Sequence, residues 1–271
     1  MLAFGQFAPR QADLAEVDGV VELGGALIIC AAGDSHGALD RLYADVLAFE
    51  AALGMPFDHV LHVGDFGVWP DPARVDRATR KHDGDGDFAS WLTDSKAVPR
   101  PTSFIKGNHE DFGWLEPRRG QEVLPGLRYL GNGDVVDLGA IRVAGVGGCY
   151  AARIYDLPAA RLEGGQRAHF TRNELERLRG VRDVDVLLLH DAPAGIEIVH
   201  SRRSYVTDAA GLRELVAEMR PRLCFFGHHH ARVRTEVSGV PCIGLNYIGR
   251  PGHLVAVQFD QAGWRVLGEY P

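Results

Sequence analysis

The chain has 271 residues, of which 46% are hydrophobic and 24% charged, and a formal net charge of −7. That length holds one large domain or two small ones, and the composition is that of an ordinary globular protein. No stretch approaches the roughly 20 consecutive apolar residues of a membrane helix, and the negative balance gives no global attraction to nucleic acid, so polyanion binding has to be local.

In chain order, the opening MLAFGQFAPRQADLAEVDG lacks a basic start before a long apolar core, so no secretory signal is expected. ALIICAAGDSHG (26–37) reads as a buried strand that breaks into a Gly-Asp loop. ALDRLYADVLAFEAALG (38–54) carries Leu39, Leu42, Val46, Leu47, Phe49 and Leu53 at helical spacing and closes on Gly54. FDHVLHVGDFG (57–67), TSFIKGNHED (102–111), IRVAGVGGCY (141–150), DVDVLLLHDAP (183–193) and RLCFFGHHH (222–230) repeat the strand-then-loop pattern. Two segments read as lying outside the packed core. One is a polar helical insert at 69–101 with a mobile tip, KHDGDGD; the other is a polar loop at 151–175 with Arg153, Arg161, Arg167 and Arg172. PCIGLNYIG and HLVAVQFDQAGWRVLGEY read as a closing hairpin. No repeat or linker divides the chain, so a single α/β domain over 1–271 is expected, with functional side chains at strand ends.

Cys30, Cys149, Cys224 and Cys242 form no CxxC pair. That argues against a zinc finger or a disulfide framework and for reduced thiols in the cytoplasm.

The strand ends supply the chemistry. GDSHG gives Asp34 and His36, VGDFG gives Asp65, GNHE gives Asn108 and His109, LLLHD gives His190, and GHHH gives His228 and His230. Carboxylate with imidazole suits Mn²⁺, Fe or Zn²⁺, and the lack of thiolates argues against a structural zinc site. In an extended backbone residues two apart share a side, so Asp34/His36 and His228/His230 should each converge on a cavity while His229 points elsewhere. This many ligands exceeds the need of one ion and fits two ions roughly 3.5–4 Å apart. Asp34 and Asp65 could instead be Asx turns or caps, but not as part of such a set. His59 and His62, inside a strand, and His82, His169, His200 and His253, in polar surroundings, read as structural. Gly33, Gly64, Gly107 and Gly227 fit loops that need close backbone approach. The arginines of 74–80, 118–119 and 202–203 read as solvated faces.

These blocks resemble the calcineurin-like metallophosphoesterases, whose pattern D-x-H, GD, GNH[D/E], H, GHxH is met in order from Asp34 to His230. The resemblance implies a sandwich of mixed β-sheets flanked by helices, with the active site at the C-terminal ends of strands. It implies that Asp34, His36 and His230 hold one divalent cation and Asn108, His190 and His228 a second, with Asp65 between them. Manganese is the expected metal, with iron or zinc as alternatives. A water between the ions would attack phosphorus in line, and His109 would protonate the leaving oxygen or hold a phosphate oxygen.

HGALDRLY, FIKGNHED, LRYLGNGDVVDLGAIRVAGVGG and VDVLLLHDAPAGI are similar to the lariat RNA debranching enzymes, which cut 2′,5′-phosphodiesters. QRAHFTRNEL lies where those enzymes carry a substrate loop, which makes Arg167, His169 and Arg172 candidates for phosphate contact. Debranching enzymes commonly have Cys where this chain has Asp34. Protein phosphatases carry GDxVDRG where this chain has GDFGVWP, so a protein substrate is not expected. The expected function is hydrolysis of a nucleotide or nucleic-acid phosphodiester, RNA of a debranching type included, with the 69–101 segment capping the site. The alternatives are a small-molecule phosphomonoesterase, a cyclic-nucleotide phosphodiesterase, or a scaffold that has lost catalysis, although no ligand position is missing. No membrane partner is expected.

Overall fold

Side-chain alternation organises the molecule. In the strand Leu27–Ala32, Ile29 and Ala31 enter one apolar cluster while Cys30 and Ala32 enter another. In Leu223–Phe226, Leu223 and Phe225 share the cluster of Ile29, while Cys224 and Phe226 point away from it. Both strands are therefore apolar on two faces, as expected of strands covered on both sides. The shared cluster is the interface between two sheets, and the two outer clusters are roofed by helices. Fully burying one such aliphatic or aromatic side chain contributes roughly 1.5–3 kcal/mol.

The computed structural model describes residues 26–77, 79–82, 86–201 and 203–271. The readings of the opening segment, of part of the KHDGDGD tip and of Arg202 lie outside the described residues. The first sheet has seven strands in the order 263–269, 254–260, 27–32, 59–62, 102–105, 127–130, 122–124. The second has six, in the order 233–237, 240–244, 223–226, 186–189, 142–146, 135–137. The middle strands of each run parallel. The helix Leu39–Leu53 covers the first sheet through Leu39, Leu42, Val46 and Phe49. It ends where Gly54, at φ 69°, returns its N–H to the Glu50 carbonyl, a left-handed cap that favours glycine. The helix Ala210–Met219 covers the second sheet through Leu212, Leu215, Val216 and Met219. Among the described residues no helix is long and apolar enough to cross a membrane.

Three expectations need correction. The 69–101 segment is not outside the core: Phe88 and Trp91, one turn apart on the short helix Phe88–Thr93, are buried with the first sheet's outer face. In 151–175, Tyr155 and Phe170 are buried against the second sheet. In both segments a few well-spaced apolar residues outweigh a polar average. The tail is split as well. Leu254–Asp260 and Gly263–Glu269 form the closing hairpin of the first sheet, but Val240–Gly244 joins the second, parallel to Leu223–Phe226.

His62 lies fully buried at the end of its strand, accepting from the Gly64 N–H at Nδ1 and facing Ser35 Oγ at 3.0 Å from Nε2. Its ring is thus held neutral. Burial, outweighing the pull of Asp34 and Asp65, lowers its pKa from 6.5 to about 3. As pH falls through 6.5 the unfolded chain takes up a proton that folded His62 refuses until about 3. Stability is therefore lost on acidification across that window, by about 1.4 kcal/mol per pH unit for this group. Urea unfolding at stepped pH should show that slope reduced by one proton in His62→Gln; an identical slope in the variant would refute the assignment.

Candidate metal centre

The loops that follow five parallel strands meet at one edge of the two sheets. Asp34, His36 and His230 each bring a donor atom within 4.8 Å of the others. His230 Nε2 lies 3.2 Å from Asp34 Oδ2 and 3.1 Å from His36 Nε2. Beside this triad, His190 Nε2 is 3.0 Å from Asn108 Oδ1, and the His190 ring centre is 5.1 Å from that of His228. Asp65 stands between the two groups, with Oδ2 3.9 Å from His36 Nδ1 and Oδ1 3.6 Å from His190 Nε2. All seven residues expected as ligands are therefore brought to one place.

The expected reason for their convergence was wrong. His36, Asp65, His228 and His230 have φ of 46°, 50°, 62° and 50°, so their backbone is left-handed rather than extended. Convergence comes from tight turns at strand ends, not from strand alternation. Such conformations cost of order 1–3 kcal/mol for non-glycine residues and collect at functional sites. Two glycines admit the packing: a Cβ on Gly107 would collide with Asp65 Oδ1, and one on Gly227 with Asp34 Oδ1.

Asp34 and Asp65 are almost wholly buried, and among the described residues their ion-pair partners are histidines only. Burial raises the Asp65 carboxyl, but the imidazoles of His190 and His36 override it and hold it below the ordinary carboxylate range. Burial likewise opposes ionisation of Asp34, and the His230 contact prevails, lowering it. Two buried negative charges without a lysine or arginine are costly unless cations compensate them. Asp34 Oδ1 has no hydrogen-bond partner and lies out of solvent, as an oxygen reserved for a cation would. His190 Nδ1 faces the Val63 carbonyl oxygen at 2.9 Å. A carbonyl only accepts, so the proton sits on Nδ1 and the Nε2 lone pair is left for a metal. Burial keeps His228 neutral, with a pKa lowered to about 4. The donor set fits divalent cations.

Other residues fix this set. Glu110 accepts from the N–H groups of Phe66, Gly67 and Val68 at 2.8, 3.0 and 2.6 Å, tying the Asp65 loop to the Asn108 loop. His109 Nδ1 is 3.2 Å from Asp76 Oδ2, so the 69–101 segment reaches the site. Asp76 was not visible in the sequence because it stands in no motif. His229 turns away from the centre, its Nε2 2.9 Å from Asp191 Oδ1 and its Nδ1 2.9 Å from the Tyr205 hydroxyl. Of the expected substrate contacts, Arg167 pairs with Glu116 at 3.4 Å, Arg172 with Asp156 at 2.7 Å, and His169 Nδ1 lies 3.1 Å from the Cys149 carbonyl oxygen. Both guanidiniums are committed to carboxylates. His59 holds Ser103 Oγ at 3.0 Å, and His253, expected in polar surroundings, is buried with Nε2 3.1 Å from Asp45.

The model of the calcineurin-like phosphoesterase family matches residues 27–232. The chain belongs to that family. It is one whose members act as hydrolases of phosphoester bonds. Among curated relatives, the chain is 28% identical over 234 residues to the lariat debranching enzyme of Schizosaccharomyces pombe, covering 76% of this chain and 48% of the relative. It is 26% identical over 228 residues to that of Homo sapiens, covering 75% and 42%. The chain thus spans about half the length of the curated relatives it matches. Its fold resembles that of a dimetal phosphatase from Danio rerio, at TM-score 0.52 and 14% identity over 90% of this chain and 99% of that one. It also resembles TT1561 of Thermus thermophilus, at TM-score 0.57 and 16% identity over 91% and 100%.

Gly227→Ala should lower unfolding free energy by about 1–3 kcal/mol, the usual cost of forcing extra atoms into a packed site. Gly165→Ala, in open space and, like Gly227, without a left-handed φ, is the control for the added methyl alone. Urea titration reads both; equal losses would show that the Gly227–Asp34 approach is not tight.

Proposed function

We propose that this phosphoesterase is a two-cation phosphodiesterase acting on a nucleotide or nucleic-acid diester, in a reducing, cytoplasmic compartment where its four cysteines stay free. The observation that carries the reading is Asp65, which presents one carboxylate oxygen to each of two donor groups. Asp34, His36 and His230 would hold one cation and Asn108, His190 and His228 the other, with Asp65 shared. Bound divalent cations, manganese being our choice for this mixed oxygen and nitrogen set, neutralise phosphate charge and lower the pKa of water.

The remaining work falls to the chain. His109 stands beside the centre, its ring 5.7 Å from that of His36. Asp76 Oδ2 faces Nδ1 and fixes the ring, so Nε2 is the nitrogen that holds the proton for the leaving oxygen. Asn108 and Asp65 are joined through the Asn108 N–H at 2.7 Å, which keeps the two donor groups in fixed relation. The debranching enzymes among the relatives support a nucleic-acid diester over a monoester.

The test begins with metal analysis of protein refilled with Mn²⁺, followed by hydrolysis of a dinucleoside diester and a nucleoside monophosphate. Two metals per chain and preferred diester turnover are expected, with turnover at least ~10²-fold lower in His109→Ala, the scale of a lost general acid. Two bound metals without turnover of either ester would replace the enzyme reading with a binding scaffold. A separate expectation concerns His229→Ala: because His229 faces Asp191 and Tyr205, metal content should stay at two per chain. Loss of a metal in that variant would mean His229 is itself a ligand.

A further inference from the structure

Two tyrosines flank the histidine run, and each carries an arginine. Tyr205, on the hairpin formed by Glu197–His200 and Arg203–Val206, places its hydroxyl 2.9 Å from His229 Nδ1. The Arg203 guanidinium lies 5.2 Å from the Tyr205 ring centre, and His200 stacks on the same ring at 6.1 Å and 28°. On the other side Tyr247 packs on His230, ring centres 4.7 Å apart. Arg250 donates from Nε to the Tyr247 hydroxyl at 2.8 Å.

Both pairs are fastened to the centre. Tyr205 reaches it through His229 and Asp191, the neighbour of His190. The Tyr247 turn is held by the Ile248 N–H, which donates to the Asp34 carbonyl at 2.9 Å, and it packs so closely that a Cβ on Gly33 would strike the Asn246 carbonyl oxygen. Arg167 and Arg172 are neutralised by Glu116 and Asp156, whereas among the described residues neither Arg203 nor Arg250 has a carboxylate partner. Arg203 was expected to be part of a solvated face. It instead forms one of two pairs of an exposed arginine with a half-buried tyrosine, in a chain whose net charge is −7.

We propose that the Tyr205–Arg203 and Tyr247–Arg250 pairs are seats for unpaired nucleosides on the two sides of the scissile phosphate. The position of that phosphate rests on the phosphodiesterase reading. Rings and guanidinium planes stack on bases whatever their sequence, and unneutralised arginines hold the adjoining phosphates. In a duplex the base faces are already stacked on one another, so the ligand class is single-stranded nucleic acid.

The test uses the full chain as purified and a fluorescein-labelled, hydrolysis-resistant phosphorothioate hexaribonucleotide, beside an abasic version with the same backbone. Fluorescence anisotropy of the unaltered protein should show the base-bearing strand bound roughly tenfold tighter or more, the scale of aromatic–base stacking. That preference should shrink several-fold in Tyr205→Leu and in Tyr247→Leu and survive in Tyr205→Phe and Tyr247→Phe, which keep the rings. No base preference in the unaltered protein, or an undiminished preference in both leucine variants, overturns the proposal. Equal loss in the phenylalanine and leucine variants overturns it too, since the hydroxyl contacts and not the rings would then matter. Turnover of the ordinary phosphodiester hexaribonucleotide is read separately. Base preference lost in the leucine variants, with no turnover by the unaltered protein, removes the phosphodiesterase reading and keeps the seats; turnover with preference intact in those variants removes the seats alone.

Discussion

Two carboxylates, Asp34 and Asp65, are withdrawn from solvent at the meeting edge of two sheets, and among the described residues their ion-pair partners are all imidazoles. Charge in that position is expensive, and a neutral imidazole does not cancel it. Much of the local structure serves to keep the charge where a cation would neutralise it. Glu110 gathers three N–H groups of the Asp65 loop, Asp65 Oδ1 accepts from Asn108 and His109 at 2.7 and 2.8 Å, and Asp34 Oδ2 accepts from the His228 N–H at 2.9 Å. The carboxylates are thus hydrogen-bonded into a frame whose uncompensated charge and orphaned oxygen are complementary to metal ions.

The sandwich makes such a frame possible. Each ligand-bearing loop leaves a strand that is apolar on both faces, so the last residue before the loop is held from above and below. A donor atom within a few bonds of that anchor has little freedom to relax away from its neighbours, and little ordering entropy is left for metal or substrate binding to supply. Left-handed φ angles at four of the ligand positions are tolerated for the same reason. The strain is local, and the packing of two sheets over-determines it.

The ligand-bearing strands, the Leu39–Leu53 helix and the seven gathered side chains could be read from the sequence because each rests on local grammar: an apolar run, a glycine, a polar residue at a fixed offset. The mechanism of convergence could not, since a two-residue spacing is compatible both with strand alternation and with a left-handed turn. Asp76 was hidden because its role depends on a tertiary approach of 3.2 Å to His109 across 33 positions. Phe88, Trp91 and Phe170 were hidden by the polar company they keep, although their burial is nearly complete. The tail was misread because adjacent strands were assigned to one sheet, while the chain crosses between sheets at 245–253.

The histidine run at 228–230 shows how finely this edge divides electrostatic roles. Burial depresses His228 to about 4, so it is a neutral donor beside His190 near neutral pH. Burial would lower His230 as well, but the hydrogen bond to Asp34 outweighs it and raises the ring. His229 is held between a carboxylate and a phenol and takes part in neither donor group. Consecutive residues on a regular strand could not be sent to three such different surroundings, since the first and third would share a face. The positive φ at His228 and His230 is what separates them, so the strained backbone gives one tripeptide a member of each donor group and, between them, a tether to the hairpin that carries Tyr205.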